Sequence, residues 1–338
     1  MTIDWKGALA VAALVVGATA SLPVQAQETA CGTDRTVDIA EMTWPSAAAL
    51  AHVHAIIIEH GYGCNVEVVQ GDTVPTSASM LERGQPAIAP EMWTGTIAGA
   101  WEEGLEQGNV IEAGLAFTDG AVEGWWIPDY TAEQYPDLQS PEDLPKFAEV
   151  FSDPEDPEQG RFYSCPPGWG CEINNAALFE AYELEDSFNL FSPGSGGNLD
   201  AAIDRAFTRE EPIVFYYWGP TSLMGKYNFH KLEMPAHDPE IWACNNDPEC
   251  GPNKPASFPT PPVIIAAAAW LPEEAPAVAE YLGKVELSAN DVSAMLSWGD
   301  ENGADAAETA EHFIAEHEDI WTQWVPEDVA AAVKNATM

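Results

Sequence analysis

Tryptophan recurs in this sequence where the chain is expected to turn. Trp44 sits in "TWPS", Trp93 in "PEMWTG", Trp125 and Trp126 in "EGWWIP", Trp169 in "SCPPGWGC" and Trp218 in "YYWGP". An indole face attracts a cation through its quadrupole. Several converging faces therefore enclose a methylated ammonium, a cation with no hydrogen to donate. Each desolvated face contributes roughly 1–2 kcal/mol, so three supply about 3–6 kcal/mol. Micromolar binding needs about 8 kcal/mol. Polar contacts and enclosure by a second surface must supply the difference, as two closing lobes would. Core filling is the plain alternative for each tryptophan, and at least one of Trp125 and Trp126 is expected in the core. Trp169 differs, because a Pro/Gly loop clamped between cysteines belongs at the surface.

Other chemistries find little support. "SPGSGG" (192–197) lacks the lysine and the preceding strand of a phosphate loop. There is no Gly-x-Ser-x-Gly elbow. The pairs His52/His54 and His312/His317 lack a convincing metal spacing, and acids such as Glu102 and Glu103 are too common here to be informative. The acidic turn "DPEDPEQG" offers Asp153, Glu155 and Asp156 as a weak calcium candidate, but it lacks the EF-hand spacing, and a plain surface turn is the simpler reading. No catalytic residue and no cofactor are expected.

Bulk properties narrow the setting. With 338 residues the chain has room for two domains. Its 12 basic and 55 acidic residues give a net charge of −43. Such a surface repels phosphate backbones, so a nucleic-acid partner is not expected. The acidity reads as a habitat signature, suited to high salt where repulsion is screened. Lys6, an apolar run from Gly7 to Ala20 and "SLPVQA" read as a secretory leader over 1–26, cut after Ala26. Export to the periplasm makes the 6 cysteines interpretable as disulfides. Spacing favours Cys165 with Cys171 and Cys244 with Cys250, which leaves Cys31 with Cys64. A zinc site would want closer Cys-x-x-Cys pairs.

The elements that must position these residues alternate. "TVDIAEM" (36–42) reads as a strand, Ser46 as the cap of a helix stopped by Gly61, and "NVEVVQ" (65–70) as the next strand. This βαβ unit predicts a parallel sheet. "AIAPEMW" (87–93) is a third strand leading to a helix over "IAGAWEEGLEQG". A second α/β region contains helices over "NNAALFEAYEL" and 199–208 and the strand "PIVFYYW" (212–218). The segment 234–262 reads as loop, "PVIIAAAAW" as a buried strand, and the remainder as helical. In an open parallel sheet, ligands lie beyond the carboxyl ends of strands, where several of the tryptophans stand.

"CPPGWGCE" (165–172) followed by "AYEL", "EEPIVFYYWGP" (210–220) and "APEMWTG" together resemble the periplasmic glycine betaine/proline betaine-binding proteins of ABC importers. The resemblance implies a type II two-lobed α/β fold, each lobe a mostly parallel sheet flanked by helices, with the ligand in the cleft. It places lobe 1 at 27–117 plus 257–338 and lobe 2 at 118–256, with crossings near Phe117 and Ser257. It implies a cage of Trp93, Trp169 and Trp218, with the amides of Gly170 and Cys171 receiving the ligand's anionic end. Trp44 is expected as a fourth wall, and Glu91 and Trp126 as further pocket residues. Betaine-binding members often carry a histidine four residues after the first cage tryptophan, where Ile97 stands here. Glycine betaine is the leading ligand, with trimethylamine N-oxide second and choline also compatible. A monomer delivering its ligand to an ABC permease is expected, and an exported carbohydrate-binding protein is the more distant alternative.

Overall fold

The computed structural model describes residues 1–2, 31–247 and 249–337. Apart from Met1 and Thr2, the expected leader lies outside the described residues. Among the described residues, no helix is long and apolar enough to cross a membrane.

Two five-stranded sheets organise the chain. The first contains β1 (Val37–Met42), β2 (Val66–Gly71), β3 (Ile88–Met92), β4 (Val110–Leu115) and, from far downstream, β10 (Ile264–Ala268), in the order β2-β1-β3-β10-β4. The second contains β5 (Val122–Pro128), β6 (Gly160–Tyr163), β7 (Phe188–Phe191), β8 (Val214–Gly219) and β9 (Phe229–Lys231), in the order β7-β6-β8-β5-β9. As expected, four of the five strands in each sheet share one direction. Each sheet is nevertheless mixed, because β10 and β5 run against both of their neighbours. Both reversed strands are the first laid down after the chain changes sheets. It leaves the first sheet between Leu115 and Val122 and returns between Lys231 and Ile264.

Burial explains the strand sequences. β10 (IIAAA) and β8 (VFYYWG) are buried at every position, the pattern of strands covered on both faces. β3 is also buried throughout, although it carries Glu91. The three disulfides join Cys31 to Cys64, Cys165 to Cys171 and Cys244 to Cys250, with Cα atoms 5.0, 6.2 and 5.2 Å apart.

The structure corrects several local expectations. Helix α1 (Pro45–Ile56) begins one residue before Ser46, with Trp44 at its N-cap. Pro45 starts it, since proline's fixed φ suits the first helical position, and Ser46 is buried in the first turn. The helical path continues as a wider turn over Ile57–Gly61. Helix α2 (Thr73–Arg83) buries Thr73, Thr76, Ser77 and Met80 on one face, a helical spacing built mostly of hydroxyl residues, and its left-handed Gly84 marks the helix end. Helix α3 (Ala98–Gln107) follows β3 as expected. In the second region, α4 (Asp129–Gln134) precedes α5 (Gly170–Ala181) and α6 (Gly196–Arg209). A helix also interrupts the segment read as loop. Pro239–Asn245 is capped by Asp238, whose Oδ1 accepts from the amides of Glu240 and Ile241 at 2.9 and 3.1 Å. Asp followed by Pro is a legible start signal there.

At the calcium candidate, a guanidinium already faces the acids. Asp153 accepts from the Arg161 guanidinium at 2.5 Å, from Asn189 at 3.0 Å and from the Glu155 amide at 2.8 Å. Glu155 lies 3.6 Å from the same guanidinium. Among the described residues, no cluster of three acidic, histidine or cysteine ligands is available to a metal.

Candidate functional site

The residues singled out by type converge between the two sheets. The first sheet's side contributes Trp44, at the β1–α1 junction, and Trp93, just past β3. Thr73 and Thr96 stand beside them. The second side contributes Trp169, Gly170 and Cys171 at the start of α5, Tyr216 and Trp218 on β8, and Glu123 on β5. Together they wall one small pocket. The ring centroids of Trp44 and Trp169 are 5.1 Å apart at 72°. Those of Trp169 and Trp218 are 4.9 Å apart at 83°. Both are edge-to-face contacts, a favoured aromatic geometry, and they set neighbouring rings at steep angles to one another.

Strand alternation explains the second side. Tyr216 and Trp218 are two residues apart on β8 and share a face. Glu123 lies directly across the ladder from Trp218, and Trp125 from Tyr216. The Tyr216 hydroxyl donates to Glu123 Oε1 at 2.5 Å. Lys231 donates to the main-chain oxygen of Glu123 at 2.6 Å. Burial pushes the Glu123 carboxyl up to about 7, against the opposing influence of the Tyr216 hydrogen bond and the Lys231 charge.

The disulfide loop presents backbone. The Gly168 amide donates to Glu172 Oε2 at 2.8 Å, and Gly168 is in the left-handed region at φ 87°. Gly170 and Cys171 lie in the first turn of α5, where amides have no intrahelical acceptor and the helix dipole favours an anion. Gly170 also has a steric reason. A Cβ there would stand 2.0 Å from Thr96 Oγ1, on the opposite side of the cleft. The bridge Cys165–Cys171 closes the loop around these groups.

Three of the four indole nitrogens are held by side chains. Trp44 Nε1 and Trp93 Nε1 both donate to Glu91 Oε1, at 2.7 and 2.9 Å. Trp169 Nε1 donates to Thr43 Oγ1 at 2.8 Å, and that hydroxyl in turn donates to Asp72 Oδ1. Glu91 is wholly buried, and burial pushes its carboxyl up to about 7.

Trp44, Trp93, Trp169, Trp218, Gly170 and Cys171 thus meet around one cavity. Glu91 stands behind two of its walls and does not line it. Trp126 does not reach the cavity at all. Alternation along β5 turns it to the opposite face from Glu123, where its ring meets Phe229 at 6.2 Å and its Nε1 donates to the Tyr217 carbonyl at 3.0 Å. Trp125 is core, with Nε1 donating to Asn175 Oδ1 at 2.8 Å. Ile97 lies outside the cavity walls, in the open groove beside α3. Sequence reasoning missed Glu123, Tyr216, Thr73 and Thr96. The period-two spacing from Trp218 could have found Tyr216. Glu123 needed the strand pairing.

Comparison with known proteins agrees with this architecture. Residues 35–316 match the family model described as the substrate binding domain of the ABC-type glycine betaine transport system. A glycine betaine/proline betaine-binding periplasmic protein of Salmonella typhimurium is 28% identical over 228 residues, covering 64% of this chain and 67% of that protein. The glycine betaine/L-proline-binding protein of Borrelia burgdorferi superposes with a TM-score of 0.70 at 17% identity, over 88% of this chain and 100% of its own. An ABC-transporter choline-binding protein in complex with choline superposes at 0.69 and 19% identity, over 91% and 99% of the two chains. These two structural likenesses show the shared two-lobed fold. The chain belongs to the family of substrate-binding domains of ABC-type glycine betaine transport systems, and is a solute-binding protein, not an enzyme.

Proposed function

We propose that this protein captures a small trimethylammonium compound between its lobes, outside the cytoplasm, and presents it to the membrane permease of an ABC importer. The observation that carries the reading is the meeting of Trp44, Trp93, Trp169 and Trp218 around one small pocket. Four indole faces contribute roughly 4–8 kcal/mol toward a desolvated methylated cation. The relative from Salmonella is named for glycine betaine and proline betaine, and a structural neighbour for choline.

The ligand's other end separates the candidates. The amides of Gly170 and Cys171 suit an anionic oxygen. Glu123 brings a carboxyl into the same wall, and neither lysine nor arginine lines the cavity. An extended betaine carboxylate would be repelled by an ionised Glu123. Trimethylamine N-oxide has a single anionic oxygen bonded directly to its nitrogen, so it asks for less room between the indole faces and the amides, and a protonated Glu123 can donate to the oxygen of either ligand. We therefore place trimethylamine N-oxide ahead of glycine betaine and choline. Titration of intrinsic tryptophan fluorescence with these three compounds, proline betaine and a neutral sugar tests the reading. The tightest response is expected from the N-oxide, whereas a response to the sugar alone would refute the assignment.

A further inference from the structure

Glu91 holds two walls of the cavity without lining it. Its Oε1 receives both the Trp44 and the Trp93 indole N–H. Those tryptophans come from separate segments, one before α1 and one after β3, so a single oxygen fixes the angle between their rings. The Ser46 hydroxyl also faces the carboxyl. The second oxygen, Oε2, is buried and has no hydrogen-bond partner.

Packing alone does not explain a carboxyl in this place. Leaving a buried acceptor unsatisfied is costly, and an ionised one more so. Glutamine has the same shape and would offer both indoles the same kind of acceptor without a charge. What glutamate adds is negative charge behind two π faces, in a dry interior where it is weakly screened. An indole whose N–H donates to an anion is polarised so that its face becomes more attractive to a cation. Burial pushes the Glu91 carboxyl up to about 7, so a cation arriving before the rings favours its ionised form.

We propose that Glu91 is a positioning residue of the cage: it locks Trp44 and Trp93 in their binding orientation and supplies the charge that makes their faces select a cation. The proposal rests on the reading of the cavity as a trimethylammonium site. The role is separable into geometry, which glutamine preserves, and charge, which it does not.

Calorimetric titration of Glu91→Gln and Glu91→Leu with trimethylamine N-oxide and with choline tests this, alongside indole ¹H–¹⁵N spectra of the ligand-free proteins. Glu91→Gln should weaken both ligands about tenfold, the scale of one charge-assisted interaction, with thermal stability kept or raised. Glu91→Leu should weaken them about a hundredfold and displace the indole N–H resonances of Trp44 and Trp93 alone. Wild-type affinity in Glu91→Gln would overturn the role of the charge. Wild-type affinity in both variants, with the wild type binding normally, would overturn the proposal while leaving the cage reading intact. A wild type that binds no methylated amine would overturn both.

Discussion

The two halves of the cage are held in different ways. Trp44 and Trp93 belong to the first lobe and are pinned by Glu91 of the same lobe. Trp169 belongs to the second lobe, and its indole nitrogen is pinned by Thr43 of the first. The hydrogen bonds of the first half lie within one lobe. That of the second half crosses between the lobes, as do the Val74 amide to Gly168 carbonyl contact at 3.2 Å and the Trp242 indole to Gly95 carbonyl contact at 2.9 Å. A preformed half lowers the ordering cost of binding. A half completed by closure ties the ligand's enclosure to the lobe contact, because a ligand shifts an equilibrium only by its differential affinity for the two states.

The largest effect expected from breaking this arrangement is at Trp169. Trp169→Ala removes the ring that faces both Trp44 and Trp218 and the lobe-crossing hydrogen bond. Affinity for a trimethylammonium ligand should fall at least about a hundredfold, as read by calorimetry. The melting temperature should fall as well, because Trp169 is buried against other apolar side chains; retention of full affinity would remove Trp169 from the site.

The preformed half also carries a stability signature, shared with Glu123 across the cleft. Burial pushes the carboxyls of Glu91 and Glu123 up from 4.5 to about 7. The folded protein keeps these protons up to about pH 7, whereas the unfolded chain releases them near pH 4.5. The contribution of both groups to unfolding free energy is therefore complete below about pH 4.5 and declines as pH rises to about 7. The decline is at most roughly 3.5 kcal/mol per carboxyl, because each tenfold change in proton affinity is worth about 1.4 kcal/mol. Denaturant unfolding between about pH 5 and 8 checks this. Glu91→Gln should flatten the slope, and an unchanged slope would mean that the carboxyl titrates normally.

The smallest effect probes the lobe-crossing contact alone. Thr43→Val keeps the shape and removes the hydroxyl between Trp169 and Asp72. Affinity should drop about fivefold, in line with a net hydrogen-bond contribution of about 1 kcal/mol. Small-angle scattering should show a less complete closure at matched ligand saturation, and the Trp44 and Trp93 indole resonances should stay in place. Movement of those two resonances would mean that the halves are not independent.

How much of this is legible in the sequence depends on range. Trp93, Trp169 and Trp218 stand out because each interrupts a turn signal or ends a strand, and the Cys165–Cys171 loop announces its own rigidity. The strands β1, β2, β3, β8 and β10 follow from apolar patterns of the right period. Glu123 is invisible, since one acid among 55 gains meaning only when strand pairing sets it opposite Trp218. Trp126 misleads for the same reason: adjacent tryptophans on a strand face opposite ways, and nothing in their spelling says which faces the cleft. Glu91 is recognisable as an acid near the cage, yet its place behind the rings depends on the packing of β3 against α1. Helix α2 escapes a reading by pattern because Pro, Thr and Ser fill it, and tertiary contacts outweigh their weak helical preference.

If the cavity recognises positive charge on a methylated centre, shape alone must not suffice for binding. Trimethylamine N-oxide and tert-butanol share a shape and differ in the charge at the central atom, so calorimetry on the pair isolates that charge. Micromolar binding of the N-oxide is expected, with no detectable heat from tert-butanol at about a thousandfold higher concentration, the ratio set by losing roughly 4 kcal/mol of cation–indole attraction. Comparable affinities for the two would contradict recognition by charge.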